Sequence, residues 1–211
     1  MPELDHIIMA TPDVPEGVRA IADLTGVEAL PGGPHVGLGT HNFLLTFDAA
    51  TYFEIIGPDP DQPAPGRPLP FGIDALTGPK LAGYAIHPTG DETLEDVQAL
   101  MRAAGFEPGE IIEMSRRKPD GDLLTWRLTT GGDTGPASQG ALPFAIDWCG
   151  QPSPAASLPS LGQLRSLRVA HPDAAIRASV EALQLGIVVE DADPALTATV
   201  ETANGSEVEI R

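Results

Sequence analysis

His6 and Glu54 are the two residues of this chain whose types and placement most invite chemistry. Glu54 sits in the middle of the apolar run Tyr52-Phe53-Glu54-Ile55-Ile56. A carboxylate there needs a partner, because an unpaired buried charge is costly. His6 opens another apolar run, His6-Ile7-Ile8-Met9-Ala10. Side chains alternate along a strand, so parity sorts the faces. If Ile7 and Met9 pack under a helix, His6, Ile8 and Ala10 face the other way. If Phe53 and Ile55 do the same, Tyr52, Glu54 and Ile56 join them. An imidazole and a carboxylate on one face suit three roles: ligands of a divalent metal, an acid/base couple, or a hydrogen-bonded structural pair.

The same parity gathers further candidates. In Gly39–Phe47 the bulky Phe43, Leu45 and Phe47 belong under the helix, which turns Thr40 and Asn42 to the concave side as substrate contacts. His35 stands near the entrance of that strand and lines the mouth. In the second half of the chain Trp126 and Leu128 oppose Arg127, and Phe144, Ile146 and Trp148 oppose Asp147. Arg127 is then a concave-side residue suited to an anion, or one paired with Asp147. Arg116-Arg117-Lys118 reads as a solvated hairpin end whose rim arginine could steer an anionic substrate. His87 and His171 each precede a proline at a strand end and read as ordinary polar termini. Cys149 reads as a small buried filler.

The elements that must position these groups come from one phrase written three times: Leu4 to Asp13, Leu81 to Pro88 and Leu164 to Asp173. Each is a short apolar run ending at a proline. A spacing of about 80 residues is far longer than a solenoid period and marks a duplicated supersecondary unit. Residues 1–57 read as a βαβββ module, with a helix opened by Pro12-Asp13 and stopped by Gly26. Gly32-Gly33-Pro34 reads as a turn between elements. Residues 58–80 form a proline-rich linker and 81–149 a second βαβββ module. Its helix spans Thr93 to Ala104, and Lys118-Pro119-Asp120-Gly121 is a turn between strands. A linker covers 150–163. Residues 164–211 make a shorter βαββ unit with a hairpin at Asn204-Gly205. The fold class is α+β, with curved mixed sheets forming a cup and helices outside it.

Composition narrows the partners. The chain has 211 residues, 42% of them hydrophobic, and a formal charge of −18. Nucleic acid and anionic membrane would be repelled, and no apolar run reaches the roughly 20 residues of a membrane span. The single Cys149 excludes a disulfide framework and a cysteine zinc cluster. The N-terminus carries Glu3 and Asp5 where a secretion signal needs positive charge, so cytoplasm is the expected location.

Leu4-Asp5-His6, the segment Gly33, His35, Gly37, Gly39-Thr40 and Asn42, and Tyr52-Phe53-Glu54-Ile55-Ile56-Gly57 resemble glyoxalase-like domains of the vicinal oxygen chelate superfamily. Leu142 to Trp148 and the trailing third unit are similar to the same group. The resemblance implies metal ligands on the first and last strands of each module, and His6 and Glu54 fall on those positions in module one. Their counterparts in module two fall on Ala82 or Gly83 and on Phe144 or Ala145, and the third unit offers Ser166. The implied activity is a small-molecule lyase, isomerase or dioxygenase holding one divalent ion (Zn, Ni, Mn or Fe) on His6 and Glu54, with no organic cofactor. In that activity Thr40, Asn42, His35, Tyr52, Arg127 and Asp147 contact substrate. Without a metal, Glu54 is a general base. The competing expectation is a metal-free protein that binds or sequesters a small molecule. A homodimer formed through the third unit is a further one.

Overall fold

The computed structural model describes residues 1–117, 121 and 123–211, without the side chain of Arg117. The expected turn at Lys118-Pro119-Asp120-Gly121 therefore lies, Gly121 apart, outside the described residues.

Module one runs β1 (Glu3–Ala10), α1 (Val14–Thr25), β2 (Leu30–His35), β3 (Thr40–Thr46) and β4 (Tyr52–Pro58). Module two repeats it as β5 (Lys80–His87), α2 (Leu94–Ala103), β6 (Glu110–Arg117), β7 (Leu123–Thr130) and β8 (Phe144–Asp147). The helices begin where their caps dictate. Asp13 accepts from the Glu16 N–H and Gly26, at φ 77°, closes α1. Thr93 and Asp96 form a reciprocal capping box on α2.

The two modules share one eight-stranded sheet in the order β2-β3-β4-β1-β5-β8-β7-β6. Each module thus contributes its four strands in the same internal order, and the halves join through the antiparallel pair β1·β5. Within each half the first and last strands are parallel, β1 with β4 and β5 with β8. The result is the α+β cup expected from the alternation: helices on the outer face, a concave face between the modules.

Gly32-Gly33-Pro34 is not a turn. It lies inside β2, which pairs antiparallel with β3 and carries an irregularity between Pro31 and Gly33. β2 is the end strand of the sheet, and only an edge tolerates a proline and a glycine pair in a ladder. The β2·β3 register sets His35 opposite Thr40 and Gly33 opposite Asn42, which bears on the chemistry of the concave face.

The linker after β4 is also more than a crossover. It folds over the cup and contains a short 3₁₀ segment, Pro70–Ala75, in which Phe71 takes the left-handed conformation at φ 57°.

The third unit forms its own sheet from β9 (Gln163–Ala170), β10 (Val188–Glu190), β11 (Ala195–Glu201) and β12 (Glu207–Ile210), with α3 spanning Ala174–Ala182. Leu167, Val169, Leu196 and Val200 enter the same core cluster as Ile7, Tyr84, Ile86 and Leu94. Those belong to the helix-bearing side of the main sheet, so the third unit backs the cup and does not close it. Among the described residues no helix is long and apolar enough to cross a membrane.

Candidate functional site

The concave face holds a cavity of about 380 Å³, within the usual range for small-molecule sites. At its core stands a polar cluster built by adjacent strands. β1 and β4 run parallel with Ile8 opposite Glu54 and His6 opposite Tyr52, which brings His6 Nε2 to 3.6 Å from Glu54 Oε2. The other Glu54 oxygen accepts from Asn42 Nδ2 at 2.5 Å. Asn42 faces Glu54 because β3 and β4 pair antiparallel beside it. His35 Nε2 lies 3.6 Å from Glu54 Oε1 and 3.2 Å from Asn42 Nδ2. His6 and Glu54 therefore meet as strand parity requires, and β2 adds His35.

Asp5 orients His6. Its Oδ1 lies 2.6 Å from His6 Nδ1, and an ionised carboxylate can only accept, so the proton sits on Nδ1 and Nε2 faces Glu54. Asp5 Oδ2 accepts from Trp148 Nε1 at 3.0 Å. It also stands 3.3 Å from His87 Nδ1. That last approach is a charge contact without hydrogen-bond alignment, and His87 Nδ1 is buried with no hydrogen-bond partner. Burial opposes ionisation of Asp5, yet the donors His6 and Trp148 together with the nearby His87 prevail and hold its pKa at about 2. The Asp5 carboxylate in turn raises His87 above the ordinary imidazole value, against its partial burial. Burial lowers His35, with Arg116 adding to the effect and Glu54 resisting it. His35 is thus a neutral imidazole near pH 7.

Arg116 is the residue that sequence reasoning placed wrongly. It is not at a solvated hairpin end: it is 8% exposed and lines the cavity. Its Nη1 donates to Asn42 Oδ1 at 3.2 Å, while its Nε is buried without a partner. Burial lowers the pKa of the guanidinium, but the nearby Glu54 opposes that, and an arginine stays charged throughout the working range. Gly32 makes the room. A Cβ at that position would stand 2.1 Å from Asn42 Oδ1 and 3.0 Å from Arg116 Nη1. Gly32→Ala is expected to push Asn42 and Arg116 apart and weaken binding of a carboxylate ligand about tenfold. Titration calorimetry, with thermal unfolding to check the fold, measures this. Unchanged affinity would show that the contact is dispensable.

Aromatic rings form the walls. Tyr52 stacks on His6 at a centroid distance of 4.4 Å, and Phe144 meets His6 edge-on at 5.6 Å. Trp148 stands 5.9 Å from Trp126, and Phe71 from the strap closes on Phe144 at 6.2 Å.

The remaining expected contacts fall elsewhere. Thr40 is fully buried and its hydroxyl lies 3.0 Å from His35 Nδ1, so it orients His35 without facing the cavity. Arg127 and Asp147 are cross-strand neighbours on β7 and β8, outside the cup. Arg127 pairs with Glu95 of α2, and Asp147 Oδ1 accepts from the Cys149 N–H at 2.8 Å. In module two it is Trp126, Leu128, Phe144 and Trp148 that face the cavity, the reverse of the parity assignment. Cys149 is exposed, not a buried filler. Of the Arg116-Arg117-Lys118 cluster, the Arg117 side chain and Lys118 lie outside the described residues.

A model of the glyoxalase-like domain matches residues 4–184. The chain belongs to that family, and its sheet and cup are those of the vicinal oxygen chelate fold. Among solved structures, a hypothetical protein from Staphylococcus aureus is 16% identical, matched over 100% of this chain and 86% of that one, with a TM-score of 0.59. Methylmalonyl-CoA epimerase from Mycobacterium tuberculosis is 16% identical over 68% of this chain and 84% of that one, with a TM-score of 0.41. A methylmalonyl-CoA epimerase in complex with methylmalonyl-CoA and NH4+ is 19% identical over 73% and 99%, with a TM-score of 0.45. No curated protein matches.

The family resemblance implies one divalent ion at this cluster. His6 Nε2 and Glu54 are suitable donors, and Asp5 on Nδ1 is the partner a metal-bound histidine usually keeps. Module two supplies nothing to match them: Ala82, Gly83, Phe144 and Ala145 occupy its equivalent strands. One Glu54 oxygen is engaged by Asn42, and the fixed cation Arg116 lines the same cavity. Among the described residues no group of three or more His, Cys, Asp or Glu is arranged to hold a metal. These residues do not fit an ion with four protein ligands. Tenfold excess Zn²⁺, Ni²⁺, Mn²⁺ or Fe²⁺ should accordingly leave the unfolding midpoint within about 1 °C. A larger rise that His6→Ala abolishes would contradict this.

Proposed function

We propose that this protein is a small-molecule enzyme of isomerase or lyase type, one that moves a proton at a carbon beside a carbonyl or carboxylate group. The observation that carries the reading is the line Asp5–His6–Glu54 set against a buried arginine with an unpartnered Nε. The carboxylate or carbonyl oxygen of the substrate would lie against the Arg116 guanidinium where it lines the cavity. Glu54 would accept the proton from the adjacent carbon, and the electron pair of the broken C–H bond would move onto that oxygen. Arg116 would stabilise the enolate there, where excluded water makes the charge interaction strong. His6, held by Asp5, would take that proton from Glu54 onto Nε2 and return it to carbon, leaving both groups as they began. Neutral His35 and Asn42 would keep the Glu54 carboxylate aimed.

The acidity of the chain supports a small molecule over nucleic acid or membrane as partner, and a cytoplasmic location belongs to the same proposal. The test is exchange of a carbon-bound hydrogen in deuterium oxide, followed by NMR over a panel of 2-oxo acids and β-carbonyl acids. Loss of a C–H signal in the presence of protein supports the reading. Absence of exchange across compounds that bind overturns it.

A second reading is favoured by one observation: Tyr52, Phe71, Trp126, Phe144 and Trp148 all line the cavity. That many rings suit a protein that sequesters a flat ligand by stacking. Binding without exchange is its signature.

A further inference from the structure

Two arginines line the cavity, one buried and one exposed. Arg116, from the end strand β6, is buried with its Nε unpartnered. Arg67, exposed, comes from the proline-rich strap. The chain has 30 acidic residues against 12 Lys and Arg, so an arginine on its surface finds a carboxylate easily. Arg102, Arg127, Arg165, Arg168, Arg177 and Arg211 have all done so. Among the described residues, no carboxylate stands within ion-pair distance of Arg19, Arg67 or Arg116, and of these three only Arg67 and Arg116 line the cavity. Among the described residues Arg67 makes one hydrogen bond, from Nη2 to the Gly37 carbonyl at 3.4 Å.

Arg67 is also held in place. Gln62 ties the strap to the β2–β3 turn, accepting from Gly37 N at 3.1 Å and donating to the Thr40 carbonyl at 3.1 Å. Pro68 and Pro70 flank the approach to the cavity and stiffen it. A charge on a stiff segment loses little freedom on binding. The cavity that both arginines line also carries Tyr52, Phe71, Trp126, Phe144 and Trp148.

We propose that the ligand is a flat aromatic or conjugated dicarboxylate. One carboxylate meets the buried Arg116 and the second meets the exposed Arg67, with the conjugated body against the rings that line the same cavity. This rests on the reading of Arg116 as the anion site in the proposed function. The buried contact supplies most of the affinity, and the exposed contact supplies discrimination and salt dependence.

Titration calorimetry with cinnamate and 4-carboxycinnamate tests it on the wild type, Arg67→Gln, Arg116→Gln and Arg116→Lys. The dicarboxylate should bind the wild type about tenfold more tightly than cinnamate. Arg67→Gln should remove that advantage and leave cinnamate unchanged. Both Arg116 variants should weaken both compounds about tenfold or more, since a lysine cannot replace the guanidinium fork. Arg116→Lys keeps the charge and guards against a variant that fails to fold. If the dicarboxylate has no advantage, or keeps it in Arg67→Gln, while both compounds still depend on Arg116, the two-anion inference fails and the anion site stands. If neither compound binds, or neither responds to Arg116, the anion site fails as well.

Discussion

Glu54→Gln is expected to lower the rate of carbon–hydrogen exchange about 10³-fold, the scale of a lost general base, while retaining carboxylate binding. The geometry gives the reason. Gln is isosteric and keeps an oxygen for the Asn42 amide, which now donates to Glu54 at 2.5 Å. The Asn42–Arg116 contact is untouched. What disappears is the carboxylate that receives the proton. Removing a negative charge near Arg116 should if anything tighten an anionic ligand. Exchange in the variant within a factor of three of the wild type would remove Glu54 from the role of base.

Asp5→Ala is expected to produce the largest loss of stability, about 3–5 kcal/mol in urea unfolding, because it leaves the buried partners of one carboxylate unmatched. Asp5 is 1% exposed and faces His6, Trp148 and His87 from three strands or strand ends. Its titration gives an independent check. The folded-state pKa, about 2, lies below the unfolded value. The contribution of Asp5 is therefore present above the unfolded pKa and is lost as pH falls through the folded one. Between pH 4 and 2 the wild type should lose about 2 kcal/mol from this group, and Asp5→Asn should lack that slope. His87 works in the opposite direction. Its pKa is raised, so its contribution is complete below the ordinary imidazole value and fades as pH rises through the raised one. A variant as stable as the wild type at pH 7 would show that the Asp5 cluster does not hold the modules together.

Much of the architecture is written in the sequence because the module is written twice. The recurring strand before a proline, the caps at Asp13 and Thr93, and the stop at Gly26 each act within a few residues, and the structure follows them. Parity served His6, Tyr52 and Glu54 well, since Phe53, Ile55, Ile7 and Met9 do face the helix-side core. It inverted Arg127, Asp147 and their neighbours for a physical reason. A cup lined by Trp126, Phe144 and Trp148 is itself apolar, so hydrophobicity cannot tell its wall from the core under α2. Gly32-Gly33-Pro34 misled in another way. Turn chemistry and edge-strand chemistry use the same residues, and only the β2·β3 pairing separates them. The role of Arg116 was illegible for a third reason. It depends on Gly32 lacking a side chain and on Asn42 standing 74 positions away, and no local pattern carries that information.

One measurement bears most directly on the central claim that Glu54, His6 and Arg116 form a proton-transfer site. Wild-type protein would be mixed in deuterium oxide with an aromatic 2-oxo acid such as phenylpyruvate. Binding would be followed through Trp126 and Trp148 fluorescence, and loss of the C3 protons by NMR in the same sample. Saturable quenching together with exchange well above the buffer rate is the expected result. Saturable quenching with exchange at the buffer rate would contradict that claim and identify the cup as a site that holds its ligand without reacting.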